Sequence, residues 1–146
     1  MTKGASRSAY RYFAPVQTRW ADNDIYGHVN NVVYYSYFDT IVNGFLVAEG
    51  VIDPHDGDII GLVVETQCRY FAPLAFPQAL EGGLRVAHIG TSSVRYEIGV
   101  FAAGETAPAA EGHFVHVYVD SRTRRPTPLP QAFRDALAPL AADTGR

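Results

Sequence analysis

Cysteine is almost missing from this chain, which carries Cys68 and no other. No internal disulfide can form, so the fold has to be held by a packed core, as suits a reducing compartment. Positive charge is also short. Twelve Lys and Arg stand against 15 Asp and Glu, for a formal net charge of −3. A nucleic-acid binder needs a basic face to displace counterions from phosphates, so that class is set aside. No uninterrupted apolar run approaches the ~20 residues of a bilayer-spanning helix, and the opening MTKGASRSAYRYFAP has no apolar core of the secretory type. The expectation is a cytoplasmic protein with neither a nucleic-acid nor a membrane partner.

What is present is ordinary for a folding chain. Hydrophobic residues make up 47% and charged ones 18% of 146 residues, enough for one domain that buries about 70% of its unfolded surface. A single domain over 1–146 is expected, with the small, polar segment 1–9 flexible. The run YRYFAPVQTRW reads as a strand, with Pro15 tolerable only at an edge or a strand start. From Asn30 the apolar period becomes helical. Tyr34, Phe38, Ile41, Phe45 and Ala48 fall three or four apart, and Tyr37, Val42 and Leu46 widen that face. Asn30 or Asn31 is the expected N-cap, and Gly50 the expected left-handed stop.

Beyond the turn-rich VIDPHDGD the period is two. Leu62, Val64, Thr66, Cys68 and Tyr70 form one expected core face, ended by Pro73 and Pro77. Leu80, Leu84 and Val86 form the next, then Val94, Tyr96, Ile98 and Val100. In the last strand Val115, Val117 and Val119 are expected to face inward, against His116, Tyr118 and Asp120. A short helix places Phe133 and Leu137 inward and ends near Pro139. One strand, a long greasy helix, four strands and a terminal helix predict an α+β fold, a sheet covering one helix.

The densest chemistry lies in RWADNDIYGHVNNVVYYSYFDT, residues 19–40. A calcium loop fails on spacing, because its fifth and twelfth positions would be Tyr26 and Val33. A magnesium phosphatase needs further acidic ligands that do not follow. His113 and His116, three apart in a strand, point to opposite faces and make poor joint metal ligands. Cys68 sits in mid-strand and Ser92 and Ser93 in a turn, so neither supplies an activated nucleophile. No metal and no cofactor is expected. What survives is a carboxylate beside a helix N-terminus, where unpaired amides can hold an oxygen that is gaining negative charge. Glycine at position 27 would let a substrate approach the backbone.

The segment RWADNDIYGHVNNVVYYSYFD, followed in order by YFAPLAF, GTSSVRYEI and PLP, resembles the acyl-CoA thioesterases of the hot-dog superfamily, the 4-hydroxybenzoyl-CoA thioesterase-like branch. The resemblance covers residues 12 to 138. It implies a hot-dog fold, a curved antiparallel β-sheet wrapped around one long central α-helix, which agrees with the order read from periodicity. It also implies that Asp24 is the catalytic carboxylate, acting as nucleophile or general base, and that the helix-start backbone at Asn30 and Asn31 polarises the thioester carbonyl. His28 matches a histidine of the branch that would orient the thioester or the loop, and Asp22 becomes a turn or capping carboxylate. Tyr34, with Tyr35, Tyr37 and Phe38, would set the depth of the acyl pocket.

Family members dimerise edge to edge with sites at the interface, so the implied partners are an acyl-CoA and a second copy, as homodimer or homotetramer. Glu65 is a candidate contribution from the partner's strand. Where the branch carries a basic run before the fourth strand, this chain has GTSS. Thr91, Ser92 and Arg95, or the Arg122, Arg124 and Arg125 loop, are then left as candidates for the nucleotide. Two alternatives stay open at this point: a non-catalytic acyl-thioester-binding dimer, and an enoyl-thioester hydratase or dehydratase.

Overall fold

In the computed structural model, residues 4–142 are described. The order is β1 (Tyr12–Gln17), α1 (Val33–Ala48), β2 (Ile59–Tyr70), β3 (Ala79–Ile89), β4 (Ser93–Ala102), β5 (Ala110–Asp120) and α2 (Gln131–Leu137). The strands form one antiparallel sheet in the order β1-β3-β4-β5-β2. This is the α+β arrangement expected from periodicity. It places Pro15 on an edge strand, where its missing amide costs least.

The concave face of the sheet holds α1, whose Tyr34, Tyr37, Phe38, Ile41, Val42, Phe45 and Leu46 are buried. Burial of each stabilises by about 1.5–3 kcal/mol. Two glycines let the helix come this close. A Cβ at Gly82 would strike the Ile41 side chain, and one at Gly112 would strike the Gln67 carbonyl and the Phe38 ring. Phe133 and Leu137 of α2 are buried too, and a 3-10 turn at Ala138–Leu140 follows them.

The helix cap falls one or two residues later than the Asn30 or Asn31 expected. Asn30 Oδ1 accepts from Val32 N at 3.1 Å and Asn30 O from Val33 N at 2.9 Å, so Asn30 closes a turn ahead of the helix. The N-cap position itself is Val32, with no capping side chain. At the other end Gly50, at φ 73°, stops the helix as expected. Gly50 N donates to Val47 O and Val51 N to Leu46 O, the paired bonds of a Schellman motif. Ala48 is exposed rather than part of the buried face.

Two strand faces differ from expectation. In β5 it is Phe114, His116 and Tyr118 that face α1 and are buried, while Val115 and Val117 lie half-buried on the outer face. The rings win the inner face because they fill it. Phe38 meets Phe114 edge-on with centroids 5.6 Å apart, and Tyr118 meets Phe133 at 4.7 Å. In β2 the alternation changes phase at a bulge between Val63 and Glu65. Val63 pairs with His116 on the inner side, whereas beyond the bulge Thr66 and Cys68 take that side. β2 is an edge strand and most of it is exposed.

Residues 1–3 of the segment expected to be flexible lie outside the described residues. The rest of that segment is seated on the sheet's outer face. Ala5 N donates to Glu111 Oε2 at 2.8 Å, and the Arg7 guanidinium lies 4.3 Å from the Phe13 ring centroid and 2.9 Å from Glu81.

Candidate active site

β1 leads into a 3-10 turn at Trp20–Asp22, and Asp22 ties that turn to the helix. Its side chain is fully buried. It accepts from Arg19 N at 2.9 Å, from the Arg19 guanidinium at 3.1 Å, and from the Tyr37 hydroxyl at 2.7 Å. Burial alone would raise the Asp22 carboxyl, but the bonds from Tyr37 and Arg19 outweigh it and hold the group below the usual carboxylate range. Burial and the Asp22 carboxylate together push the Tyr37 phenol upward, so it stays a donor. The capping role expected of Asp22 is therefore observed. Tyr37 as its partner is new, since a tyrosine on an apolar helix face reads as core.

Asp22 also closes a loop. Its carbonyl accepts from Asn30 N at 2.9 Å, and Asn23 bridges to Val29 one step further out. Between them Asp24 N donates to His28 O, and Gly27 N to Asp24 O, each at 3.0 Å. Gly27 has φ 84°. The result is a three-residue hairpin loop with glycine in the left-handed position. A Cβ at Gly27 would meet nothing within 4 Å, so within the protomer it is the turn's positive φ, not packing, that calls for glycine.

Asp24 itself is half-buried. Its Oδ1 accepts from Tyr26 N at 2.9 Å, and Oδ2 has no hydrogen bond among the described residues. It lines a cleft of about 560 Å³ with Trp20, Asn23, Ile25 and Gly27. The rim is unusually apolar: Trp20 is 82%, Ile25 94% and Tyr26 80% exposed.

At the helix start the two expected amides differ. Asn30 N is committed to Asp22 O, whereas Asn31 N has no acceptor among the described residues. The Asn31 carbonyl accepts from the Tyr70 hydroxyl at 3.0 Å, and the Tyr70 ring stands edge-on to Tyr34 at 5.0 Å. Asn31, His28, Tyr34 and Tyr70 line a second cleft, of about 320 Å³. Tyr70 went unread as a site residue because it looks like the last core position of a strand. Asp24 and Gly27 thus line one cleft of the protomer, and His28, Asn31 and Tyr34 another.

The remaining candidates lie elsewhere in the same protomer. Glu65 is on the outer face of the sheet, where its carboxylate meets His113 Nε2 at 2.6 Å and Arg95 at 3.8 Å. Arg95 also reaches Glu97 at 3.7 Å, and Arg85 meets Glu97 at 2.7 Å, so Arg95 belongs to a cross-strand ladder of charges. Thr91 and Ser92 form the β3–β4 turn. Their carbonyls accept from Leu129 N and Tyr118 N. That turn lies at the end of the sheet opposite the helix start, because β4 begins opposite Val117 while Tyr70 pairs with Ala110. The Arg122–Arg125 loop closes back on Asp120, whose carboxylate accepts from Arg122 N and Thr123 N. Among the described residues, no three His, Cys, Asp or Glu side chains come together as metal ligands.

The profile of the thioesterase-like superfamily matches residues 18–137. A crystal structure of the PA5185 protein of Pseudomonas aeruginosa superposes with a TM-score of 0.93 at 54% identity, covering 94% of this chain and 96% of that one. PA2801 of the same organism, described as a candidate thioesterase, gives 0.82 at 29% identity over 88% of this chain and 99% of its own. Slr0204 of Synechocystis, a 1,4-dihydroxy-2-naphthoyl-CoA thioesterase, shares the fold with a TM-score of 0.78 at 19% identity, over 92% and 98% of the two chains. With the matched region running from the end of β1 through α2 and including the whole Asp22–Asn31 loop, this chain belongs to the thioesterase-like superfamily.

Proposed function

We propose that the protein hydrolyses acyl-CoA thioesters to the free acid and coenzyme A, with Asp24 as the reacting carboxylate and the Asn31 amide as the oxyanion donor. The observation that carries this reading is that one pinned loop bears both groups in a usable state. Among the described residues, Asp24 is held by one oxygen and keeps the other free, and Asn31 offers an uncommitted amide at the positive end of a 16-residue helix. The thioester oxygen would sit against Asn31 N. Asp24 would then add to the carbonyl carbon to form a mixed anhydride, or take a proton from the water that adds. Collapse of the tetrahedral intermediate expels the coenzyme A thiolate.

A second copy completes the site in this reading. β2 is a long exposed edge, a ready template for pairing with another chain. It runs toward Tyr70 at the helix start, so an antiparallel partner β2 would bring the opposite end of its own sheet there. Thr91 and Ser92 of the partner subunit lie at that end, with β4 two strands, or roughly 10 Å, in from the partner's edge. The exposed Trp20, Ile25, Tyr26 and Val32 and the inner side of β2 are apolar surfaces that such a neighbour would cover. A hydratase is disfavoured. The His28 side chain makes no hydrogen bond among the described residues, and the histidine–carboxylate pair of Glu65 and His113 faces the other side of the sheet.

Purified protein offered aryl- and alkyl-CoA thioesters with a thiol-reactive dye tests the reading. Release of free thiol well above the uncatalysed rate is expected for at least one acyl class. Binding without thiol release across the whole panel would refute it.

A further inference from the structure

We infer that Asp22 and Tyr37 are positioning residues for turnover, because their hydrogen bond fixes the spacing between the Asp24 carboxylate and the Asn31 amide. The inference rests on the proposed thioester hydrolysis and names a device inside that same site. Asp24 follows Asp22 by two residues, and Asn31 follows Asn30 by one. Asp22 O and Asn30 N are joined at 2.9 Å, so both reacting groups hang on short tethers from a single link.

Beyond the Asn30 side chain at the N-cap, that link has one direct side-chain tie into the helix among the described residues. The Tyr37 hydroxyl donates from the second turn of α1 to Asp22 Oδ2 at 2.7 Å, to which Arg19 N also donates, while the Arg19 guanidinium occupies Oδ1. The partners differ in setting. The Arg19 side chain is 70% exposed, while both Asp22 and Tyr37 are buried. A buried bond from a neutral donor to an ionised acceptor is short, directional and costly to leave unmade. It therefore sets where the loop sits along the helix axis. A shift of about 1 Å between reacting groups is enough to cost up to two orders of magnitude in rate.

Tyr37→Phe removes the hydroxyl and keeps the ring packing. Three readouts are expected together. Turnover with the best acyl-CoA falls about tenfold or more while KM stays within about twofold. Backbone amides of residues 22–31 exchange with deuterium at least about tenfold faster, with the sheet unchanged. Asp22→Asn, whose Oδ1 can still accept from Tyr37, loses less, and the Asp22→Asn/Tyr37→Phe pair loses less than the two single losses multiplied, because both act through one bond. Unchanged exchange over 22–31 in Tyr37→Phe would overturn the inference whether or not the protein hydrolyses a thioester. Absence of hydrolysis in the wild type, with exchange accelerated as described, would remove the proposed function and leave the brace standing. A rise in KM at constant kcat, or simple multiplication of the two single losses, would also overturn it.

Discussion

His116 shows how a single side chain can set a pH limit. It is 3% exposed on the inner face of β5, with Nδ1 3.2 Å from the Tyr118 hydroxyl and Nε2 without a hydrogen-bond partner among the described residues. Burial lowers its pKa to about 4, against roughly 6.5 in an unfolded chain. The folded state therefore favours the neutral ring. Its contribution is fully present above about pH 6.5 and is lost progressively as the pH falls to about 4, a total of about 3 kcal/mol. Carboxylates titrate over part of the same range, so the informative quantity is the difference between wild type and His116→Leu. The wild type should lose more stability than the variant between pH 6.5 and 4 in thermal melts, and parallel curves would refute the assignment. At this scale the sequence was readable where local chemistry decides and silent where the fold decides. The turn role of Asp22 followed from the resemblance, which assigns the chemistry to its neighbour Asp24, and it fits a carboxylate ahead of a helix. That Tyr37 would hold it, that Asn30 N would be spent on it, and that His116 would be buried depend on residues brought together from distant positions.

Elements were legible to the extent that their period had one cause. The helix from Val33 to Ala48 shows a single apolar stripe, and β3 and β4 bury the inner faces their alternation indicates, with Gly83, Gly99 and Phe101 buried on the outer face as well. β5 carries apolar residues on both faces, so alternation alone does not choose between valines and rings. Register would have chosen, because Tyr96 lies directly opposite Phe114 and the two must share a face. β2 hides a bulge that no composition rule marks, and its phase slips there. The close seat of α1 on the sheet is an element-scale feature with its own test. In Gly112→Ala the new methyl meets the Gln67 carbonyl, which the β2–β5 ladder holds in place, and the Phe38 ring. A loss of about 1–3 kcal/mol is expected, or roughly 2–4 °C in Tm for each kcal/mol. A melting temperature equal to wild type would mean that β2 and α1 leave more room around Gly112 than described.

For the whole molecule, the strand order shows the fold and the match over residues 18–137 shows the family, while the candidate site residues are spread over the protomer. Asp24 and Asn31 line separate clefts, and Thr91, Ser92 and Arg95 lie away from both. No sequence rule reveals that division, because it depends on which end of the sheet each loop reaches. In the proposed dimer, pairing through β2 would bring the β3–β4 turn of the second copy to the helix start and would cover exposed apolar surface. Val63→Lys, on the inner side of that edge, should shift the protein from twice the chain mass to the chain mass in sedimentation, with activity lost in parallel. A wild type that sediments as a monomer and still turns over would rule out a shared site. Where the edge pairs, both defects should appear in one variant.

The most direct measurement is the turnover of Asp24→Asn on the best acyl-CoA substrate, alongside its melting temperature. Asparagine keeps an oxygen to accept from Tyr26 N, so the hairpin should survive with its Tm within about 2 °C. Turnover should fall by about 10² to 10⁴-fold as the reacting carboxylate is neutralised. A folded variant that releases coenzyme A at the wild-type rate would contradict the account.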